Sequence, residues 1–412
     1  MPQKKAFFAW LWVAACTLAI FMVVPLARAI QKFVSTRWGR PFFGYAVLAV
    51  MAAAFCVLVY VLYFCSRIRS PSNYLWLTAV AALYIHFTLQ LRRAPEEAVH
   101  FLEYGLLGGF LFRALALTIR DKSIYLAAFL IGSLVGTFDE ILQWAMPGRY
   151  WDFRDVGLNA VATGLFQVAL WKGVKPKAID EGIGPKSARR VSLLLAVNVF
   201  LLGLCASNTP QRVAAYTREL PFLSFLVREE PMYEFTQKHS DPQIGTFFSR
   251  LSLDALEKED SERSDHWAGI LRDWKDKDYA LFLREHHPLL HPFLYEMRVH
   301  IFRRDRRVEE AAKAKDDRSR REALFVAYKE NMILEKYFGR TLEKSSYKWS
   351  AEKKAEIAAS VNATKSYRSP VSAGRFQVKE RSLWLWIAAF LCLLVGLNLA
   401  LPRRRRQDDR EQ

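Results

Sequence analysis

Long apolar runs dominate the first half of the chain. Residues 1–206 contain several of them, each roughly 17 to 25 residues long, the length needed to cross a hydrocarbon core about 30 Å thick. Residues 208–380 contain none. The sequence therefore predicts an integral membrane protein that also carries one sizeable water-soluble domain.

Eight membrane spans are predicted, so the expected fold is all-α. It is a polytopic helical bundle with a mainly helical soluble domain between the seventh and eighth spans. The fourth and sixth predicted spans carry polar residues near their starts. The predicted spans are residues 6–28, 42–65, 74–91, 99–119, 123–146, 155–172, 190–206 and 382–401.

The short loops between spans differ in their content of basic residues. One set holds about half as many as the other, and the positive-inside rule places the richer set in the cytoplasm. We therefore expect a multi-pass protein of the cell (inner) membrane with cytoplasmic N- and C-termini and residues 208–380 outside. The basic groups that decide this are Lys4 and Lys5, Arg67 and Arg69, Arg120 and Lys122, the 172–190 loop and Arg403–Arg406.

The N-terminal segment has an alternative interpretation. Residues 1–29 resemble a cleaved signal peptide, because Lys4-Lys5 forms a basic start and Ala27-Arg28-Ala29 resembles a cleavage site. The apolar stretch of about 20 residues is long for the central region of a signal peptide. The rest of the topology is the same in either case.

The charge distribution and the cysteine positions argue against nucleic-acid binding and against a disulfide-stabilised soluble domain. The net charge of +18 lies largely in short loops and the C-terminal tail, so we expect no nucleic-acid partner. All five cysteines stand in apolar runs, which leaves residues 208–380 without a thiol for a disulfide. The soluble domain must therefore be stabilised by the packing of its core.

Polar residues interrupt the predicted fourth, fifth and sixth spans. Ionisable groups within a bilayer cost about 2.5–3.5 kcal/mol each on insertion scales and usually face a protein interior or a wet cavity. We predict His100, Glu103, Asp139 and Glu140 as binding or acid–base groups. The predicted substrate-binding residues are Tyr104, Gln143, Arg149, Asp152, Asp155 and Asn159.

The spacing of these residues predicts a common location. His100, Glu103 and Tyr104 share one helical face at the start of the fourth span, and Asp139 and Gln143 share another at the end of the fifth. The predicted orientation brings all of them to the outer membrane boundary, where an acid, a base and a guanidinium would suit an anionic lipid-linked substrate.

The alternative is that these groups satisfy one another. Arg149 would then pair with Asp139 or Glu140, and Asp155 would cap the sixth helix.

The same residues carry a resemblance to a family. The segments HFLEYGLLG and DEILQWAMPGRYWDFRDVGLNAVATG, within residues 94–165, resemble the VanZ-like family of membrane proteins, whose name comes from a teicoplanin-resistance protein. The match covers only residues 42–172, and Gly164 with Ala160 and Thr163 departs mildly from the small-residue repeat of the family. The matching positions are His100, Tyr104, Asp139, Glu140, Gln143, Pro147, Gly148, Arg149, Asp155 and Asn159.

The resemblance implies a role in the cell envelope, of the antibiotic-tolerance type, but no particular reaction. Whether the protein is an enzyme stays open.

The predicted spans and the resemblance divide the chain into five parts. These are 1–41 for an N-terminal span and loop, 42–172 for the VanZ-like membrane domain, 173–206 for a cytoplasmic loop and the seventh span, 208–380 for the extracytoplasmic domain, and 381–412 for the eighth span and a basic cytoplasmic tail.

Residues 208–380 have helix-forming composition at about 265–285, 293–316, 319–338 and 350–363. Asp241-Pro242 predicts a further helix start, with Asp241 as the N-cap. Asp316-Asp317 and Gly339 mark breaks between helices. The stretch from Ser366 to Ser372, followed by Gly374, predicts a linker to the last span.

Four histidines of this domain, His286, His287, His291 and His300, raise a metal site as an alternative. His287 and His291 have the i, i+4 separation of helical zinc sites, but prolines interrupt the segment and the HExxH glutamate is missing. We expect no metal and no cofactor.

Three functions remain open. The first is binding or modification of a lipid-linked or cell-wall precursor, with membrane lipids or that precursor as partner and an envelope protein as a partner of residues 208–380. The second is a transporter or permease, which ranks lower because the charges lie at one boundary and no internal repeat is found. The third is a non-catalytic structural or sensory role.

Overall fold

The chain folds into two compact units. The computed structural model describes residues 2–147, 149–227, 231–274, 279–288, 290–373, 378 and 380–400. The bundle unit comprises the residues up to Cys205 and those from Trp384 onward, and the inserted unit is Ala206–Leu383. Gly148, Gly374 and the basic tail Arg403–Arg406 lie outside the described residues.

The bundle unit is built from helices. Two of them, α2 and α6, continue as short π-helices, Val61–Cys65 and Ala169–Val174. The helices are α1 (Pro2–Trp38), α2 (Phe42–Tyr60), α3 (Pro71–Gln90), α4 (Val99–Leu115), α5 (Ser123–Ala145), α6 (Phe153–Val168), α7 (Pro185–Ala206) and, last in the chain, α16 (Glu380–Ala400).

Within the described part of the chain, five helices are long and apolar enough to cross a membrane. They are α1, α2 with its π-helical extension, α5, α7 and α16, and they indicate a membrane protein. The other predicted spans fall on α3, α4 and α6, so length and composition do not establish a count of eight. Two of these helices are also short, with 17 residues in α4 and 16 in α6.

Helices α4, α5 and α6 pack against one another through small residues. Gly132 and Gly136, four positions apart on α5, face α6, and a Cβ at Gly132 would lie 2.5 Å from Thr163 Cγ2. A Cβ at Gly136 would lie 2.7 Å from Asn159 Cβ. This spacing of small residues lets helix backbones approach closely in a membrane, where the hydrophobic effect does not drive association. The buried apolar core continues along α4 through Leu107 and Leu111.

Buried side-chain hydrogen bonds to the backbone join α3 and α7 to this core. Tyr84 on α3 donates to the carbonyl of Ala162, and Asn73 donates to the carbonyl of Gly173 at 2.6 Å. Asn198 on α7 donates to the carbonyl of Leu130 on α5. Such bonds satisfy polar groups that would be costly in hydrocarbon.

The inserted unit is mainly helical, as the sequence predicts. Its core lies on the long α12–α13 pair, where Met297, Ile301, Ile333 and Leu334 are fully buried. The helices are α8 (Pro210–Glu219), α9 (Leu253–Glu262), α10 (Ser264–Asp273), α11 (Tyr279–Glu285), α12 (Pro292–Lys313), α13 (Asp317–Tyr337), α14 (Gly339–Lys344) and α15 (Ala351–Ala359).

A small sheet in the inserted unit corrects the prediction of a helix start at Asp241-Pro242. Strands β1 (Gln237–Asp241) and β2 (Gly245–Ser249) form an antiparallel hairpin. Asp241 Oδ1 accepts hydrogen bonds from the N–H groups of Gln243 and Ile244, at 2.9 and 3.0 Å. An aspartate accepts hydrogen bonds from free N–H groups in the same way at a tight turn as at a helix start. The local sequence therefore does not distinguish a turn from a helix start.

The predicted linker of residues 366–372 is instead part of the fold. Strand β3 (Tyr367–Arg368) pairs in parallel with β2, and the three strands lie in the order β1-β2-β3. Gly245 has a φ of +114°, and a Cβ there would lie 2.1 Å from the carbonyl oxygen of Tyr367. A glycine is therefore required where β3 meets the hairpin.

Candidate functional site: an amphipathic cavity in the bundle unit

A cavity of about 340 Å³ opens in the bundle unit. One wall is apolar and belongs to α1, through Ile20, Val23, Val24 and Ala27. The opposite wall is polar and comes from the turn before α4, from α4, from the end of α5 and from the segment that leads into α6. Its lining residues are Glu96, Glu97, His100, Glu103, Asp139, Gln143, Arg149, Tyr150 and Asp155.

Helix α4 presents His100 and Glu103 to this cavity. The two residues are one turn apart, and His100 Nδ1 lies 3.4 Å from Glu103 Oε2. Tyr104 is fully buried behind them, with its ring centre 6.0 Å from that of His100. This separation is longer than a hydrogen bond, and His100 Nδ1 has no hydrogen-bond partner among the described residues, so a polar group of a ligand could lie between the imidazole and the carboxyl.

The end of α5 carries two buried carboxyl groups and an amide. Asp139 is 2% exposed and Glu140 is 0% exposed. Gln143 Nε2 donates to both, at 3.2 Å to Asp139 Oδ2 and 2.8 Å to Glu140 Oε1. Arg149 donates to Gln143 Oε1. Gln143 therefore links the two carboxyls to the guanidinium, and this contact of Arg149 differs from the predicted alternative of direct pairing with Asp139 or Glu140.

Asp152, rather than Asp155, caps α6. The Asp152 side chain accepts a hydrogen bond from the N–H of Arg154 at 2.7 Å, and Asp152 does not line the cavity. Asp155 lies in the first turn of α6 and does line it. The alternative in which Asp155 serves as the cap is therefore wrong, because α6 begins at Phe153, two residues before the predicted span of 155–172.

Asn159 lies deeper and is fully buried against Gly136. Neither its Oδ1 nor its Nδ2 atom has a hydrogen-bond partner within the described residues. Of the ten predicted site residues, six therefore line the cavity and Tyr104, Glu140 and Asn159 form a layer behind it, while Asp152 serves as a cap.

Several buried polar atoms at this site lack hydrogen-bond partners in the part of the chain that is described. They include the Tyr104 hydroxyl, which is next to Asp139 without a hydrogen bond of normal geometry. Native proteins pair nearly all buried polar atoms, with protein, water or ligand. The acceptors among the unpaired atoms are Glu96 Oε2, Asp139 Oδ1, Glu140 Oε2, Asp155 Oδ1 and Asn159 Oδ1.

Neither α1 nor Arg154 is among the site residues predicted from the sequence. The missed residues of α1 include Arg28 and Gln31, and Gln31 donates to Glu96 at 2.6 Å. Arg154 pairs with Glu97 and with Asp155. A local signal exists for Arg28 and Gln31, because they are polar residues one turn apart where a long apolar run ends.

Three of the four histidines of the inserted unit that raised the metal alternative contact a carboxylate or aromatic rings. His300 is fully buried, and its Nδ1 atom lies 2.6 Å from Glu330 Oε2. The ring centres of His286 and His291 lie 6.1 Å apart among aromatic side chains. Within the described ranges, no three or more His, Cys, Asp or Glu side chains are grouped so that they could hold a metal ion.

Comparisons with known proteins found no match to this chain among family models, curated proteins or solved structures.

Proposed function

We propose that the bundle unit binds the headgroup of an amphiphilic envelope molecule, either a membrane lipid or a lipid-linked cell-wall precursor. One observation carries the proposal: a single cavity has an apolar α1 wall facing buried polar atoms without partners. An acyl or polyprenyl chain would lie against the first and a polar headgroup against the second. Ligand sites typically combine an apolar lining with a few convergent polar groups in this way.

Membership of the VanZ-like family and a count of eight spans are parts of this proposal. Eight of the ten motif residues of the resemblance line the cavity or lie in the layer behind it; the other two are Pro147 and Gly148, and Gly148 lies outside the described residues. Helices α4 and α6 are shielded by neighbouring helices, since Leu107, Leu111 and Ala162 are fully buried. A helix packed among other helices need not be uniformly apolar, which accounts for the lower hydropathy of α4 and α6.

The α4 side of the cavity favours a binding site over a transport path. Leu107, Leu111 and Ala114 follow Glu103 along α4 and belong to a fully buried apolar cluster. A transporter would need polar groups near the middle of the bilayer along a continuous route. A structural or sensory role would leave the cavity empty and would need its motif residues only for stability.

The proposed location is the cell (inner) membrane, with both termini cytoplasmic and residues 208–380 outside, where an envelope protein could be a further partner. The support is the distribution of basic residues among the short loops.

The orientation can be tested with single cysteines. The native cysteines are unpaired, and within the described residues the inserted unit beyond Ala206 contains none. In a cysteine-free background, Lys258→Cys in exposed α9 should react with a membrane-impermeant maleimide in intact cells or spheroplasts. Lys177→Cys, in the exposed loop before α7, should react only after lysis. The reverse labelling pattern would overturn the orientation.

The binding site can be tested by native mass spectrometry of the full-length protein purified in mild detergent. We expect an amphiphile to copurify with the wild type and its retention to fall at least tenfold in Asp139→Asn and in Arg149→Ala. The matched control is Asp121→Asn, the same substitution just before the other end of α5, where the side chain accepts from the N–H of Ser123. An asparagine oxygen can still accept that hydrogen bond.

Melting temperatures of the purified variants separate binding from stability. If Asp139→Asn loses the amphiphile while it melts within a few degrees of wild type, the cavity is a binding site. If all variants keep the same copurifying molecules as the wild type, the proposal fails. If loss of the amphiphile always accompanies unfolding, the structural role is the better account.

A further inference from the structure

The ion pairs around the cavity leave one place without a cation. Glu96 pairs with Arg40, Glu97 and Asp155 pair with Arg154, and Glu103 lies beside His100. Asp139 and Glu140 form no ion pair among the described residues, where they share the amide donor Gln143. The Tyr104 hydroxyl lies next to Asp139 and the backbone N–H of Asp152 next to Glu140, and His100 attracts both carboxyls without pairing with them. This is the least exposed pair of carboxyl groups at the site.

The unpaired atoms at this place are mainly hydrogen-bond acceptors. Asp139 Oδ1 belongs to a side chain that lines the cavity, and Glu140 Oε2 lies directly behind it. A buried carboxylate is expensive unless it is paired with a cation or receives hydrogen bonds. A ligand that brought hydrogen-bond donors and a positive charge to Asp139 would satisfy these oxygens.

We propose that the headgroup bound in this cavity carries a primary ammonium group next to a phosphate, as in an aminophospholipid. This inference rests on the function proposed above. The ammonium would be received by Asp139, backed by Glu140, and the phosphate by Arg149. Gln143 fixes the distance between these two places, because its amide nitrogen contacts both carboxyls and its oxygen accepts from Arg149.

The same geometry discriminates among headgroups. A primary ammonium has three N–H donors for the unpaired carboxylate oxygens, whereas a trimethylammonium has none. Quaternary ammonium groups are recognised by cages of several aromatic rings. Among the described lining residues, Phe43 and Tyr150 are the only Phe, Tyr or Trp side chains, and they lie on different segments. A glycerol headgroup supplies hydroxyl donors without a charge to balance Asp139.

The test uses the wild-type protein in detergent and a set of phospholipids with identical acyl chains. Delipidated protein is titrated with phosphatidylethanolamine, its N-methyl and N,N-dimethyl derivatives, phosphatidylcholine and phosphatidylglycerol, and bound lipid is measured by native mass spectrometry. We expect apparent affinity to fall with each added methyl group, with at least a tenfold loss from ethanolamine to choline. We expect phosphatidylglycerol to bind at least tenfold more weakly than phosphatidylethanolamine.

Variants of Asp139 then test whether its carboxylate causes the preference for ethanolamine over choline. Asp139→Asn should reduce the preference for ethanolamine over choline to within about twofold, and Asp139→Glu should restore most of it. The control Asp121→Asn should keep the full preference.

The outcomes separate this inference from the proposed function. Equal or stronger binding of phosphatidylglycerol or phosphatidylcholine, still lost in Arg149→Ala, would overturn the ammonium inference and leave the headgroup site standing. Binding of none of these phospholipids would overturn the ammonium inference alone, because the amphiphile that copurifies with the wild type tests the headgroup site separately. Binding that no cavity variant alters would overturn both. A flat response across the methylation series in the wild type would contradict the inference without relying on any variant.

Discussion

Replacing Glu330 by alanine is expected to lower the free energy of unfolding of the inserted unit by about 3–5 kcal/mol, because buried charged and polar partners lose their common acceptor. Glu330 is fully buried on α13. Its Oε1 accepts from Arg303 at 2.9 Å, Tyr367 at 2.7 Å and Ser369 at 3.1 Å, and its Oε2 lies 2.6 Å from His300 Nδ1. This carboxylate therefore joins α12, α13 and the strand β3.

The measurement is pulse proteolysis of the full-length protein over a urea series, which reports the unfolded fraction of the inserted unit. The matched control is Glu322→Ala, an exposed glutamate on the same helix, which should change the free energy of unfolding by less than about 0.5 kcal/mol. A loss below about 1 kcal/mol in Glu330→Ala would show that the unit does not depend on this network.

The same carboxylate predicts a pH dependence. Burial by itself raises the pKa of Glu330, but the charge and hydrogen bonding of His300, followed by Tyr367 and Arg303, more than offset it, so the net shift is downward. The unfolded chain has the ordinary glutamate pKa of about 4.3. The stabilisation is therefore complete above that value and is lost as the pH falls through the lower pKa of the folded state. We expect a smaller decline in stability below about pH 4 for Glu330→Gln than for the wild type.

Local patterns predict five of the eight helices described in the inserted unit but not α8, α9, α14 or the sheet, and the single predicted helix at 265–285 is divided into α10 and α11. The predicted helices at 293–316 and 319–338 correspond to α12 (Pro292–Lys313) and α13 (Asp317–Tyr337), and Asp316 caps α13 by accepting from the N–H of Ser319. Strand β3 depends on pairing with β2, more than 100 residues earlier. Such a contact leaves no periodicity in a short segment, so residues 366–372 resemble a linker in sequence.

Part of the candidate site could be predicted from the sequence, because some of its residues are neighbours on one helix. Spacing along one helix identifies His100 with Glu103, and Asp139 with Gln143, because i, i+3 and i, i+4 positions share a face. The apolar wall from α1 could not be predicted in this way, since Val23 and Ala27 look like any lipid-facing residues of a span. Only tertiary packing distinguishes a helix face that lines a cavity from one that faces lipid.

Close packing of α5 on α6 determines where the buried polar layer of the site lies, and Gly132→Ala should disturb it. A Cβ at Gly132 would meet Thr163 Cγ2 at 2.5 Å and Oγ1 at 2.8 Å, so the helices must separate or Thr163 must move. Asn159 and Thr163 lie on the same face of α6, and Thr163 Oγ1 donates to the carbonyl of Asn159 at 3.2 Å. A displacement at Gly132 is therefore expected to reach Asn159.

Overpacking of this kind typically costs about 1–3 kcal/mol, so the melting temperature of the detergent-purified protein should fall by several degrees. The amphiphile retained by the wild type should be lost in parallel. The matched control is Gly157→Ala on α6, where an added Cβ meets nothing within 4 Å, and its melting temperature should not fall. The double variant Gly132→Ala with Thr163→Ala removes both of the closest atoms and should recover most of the lost stability. A double variant as unstable as Gly132→Ala alone would contradict the assignment of the clash to Thr163, because relief of a steric contact must appear as coupling between the two sites.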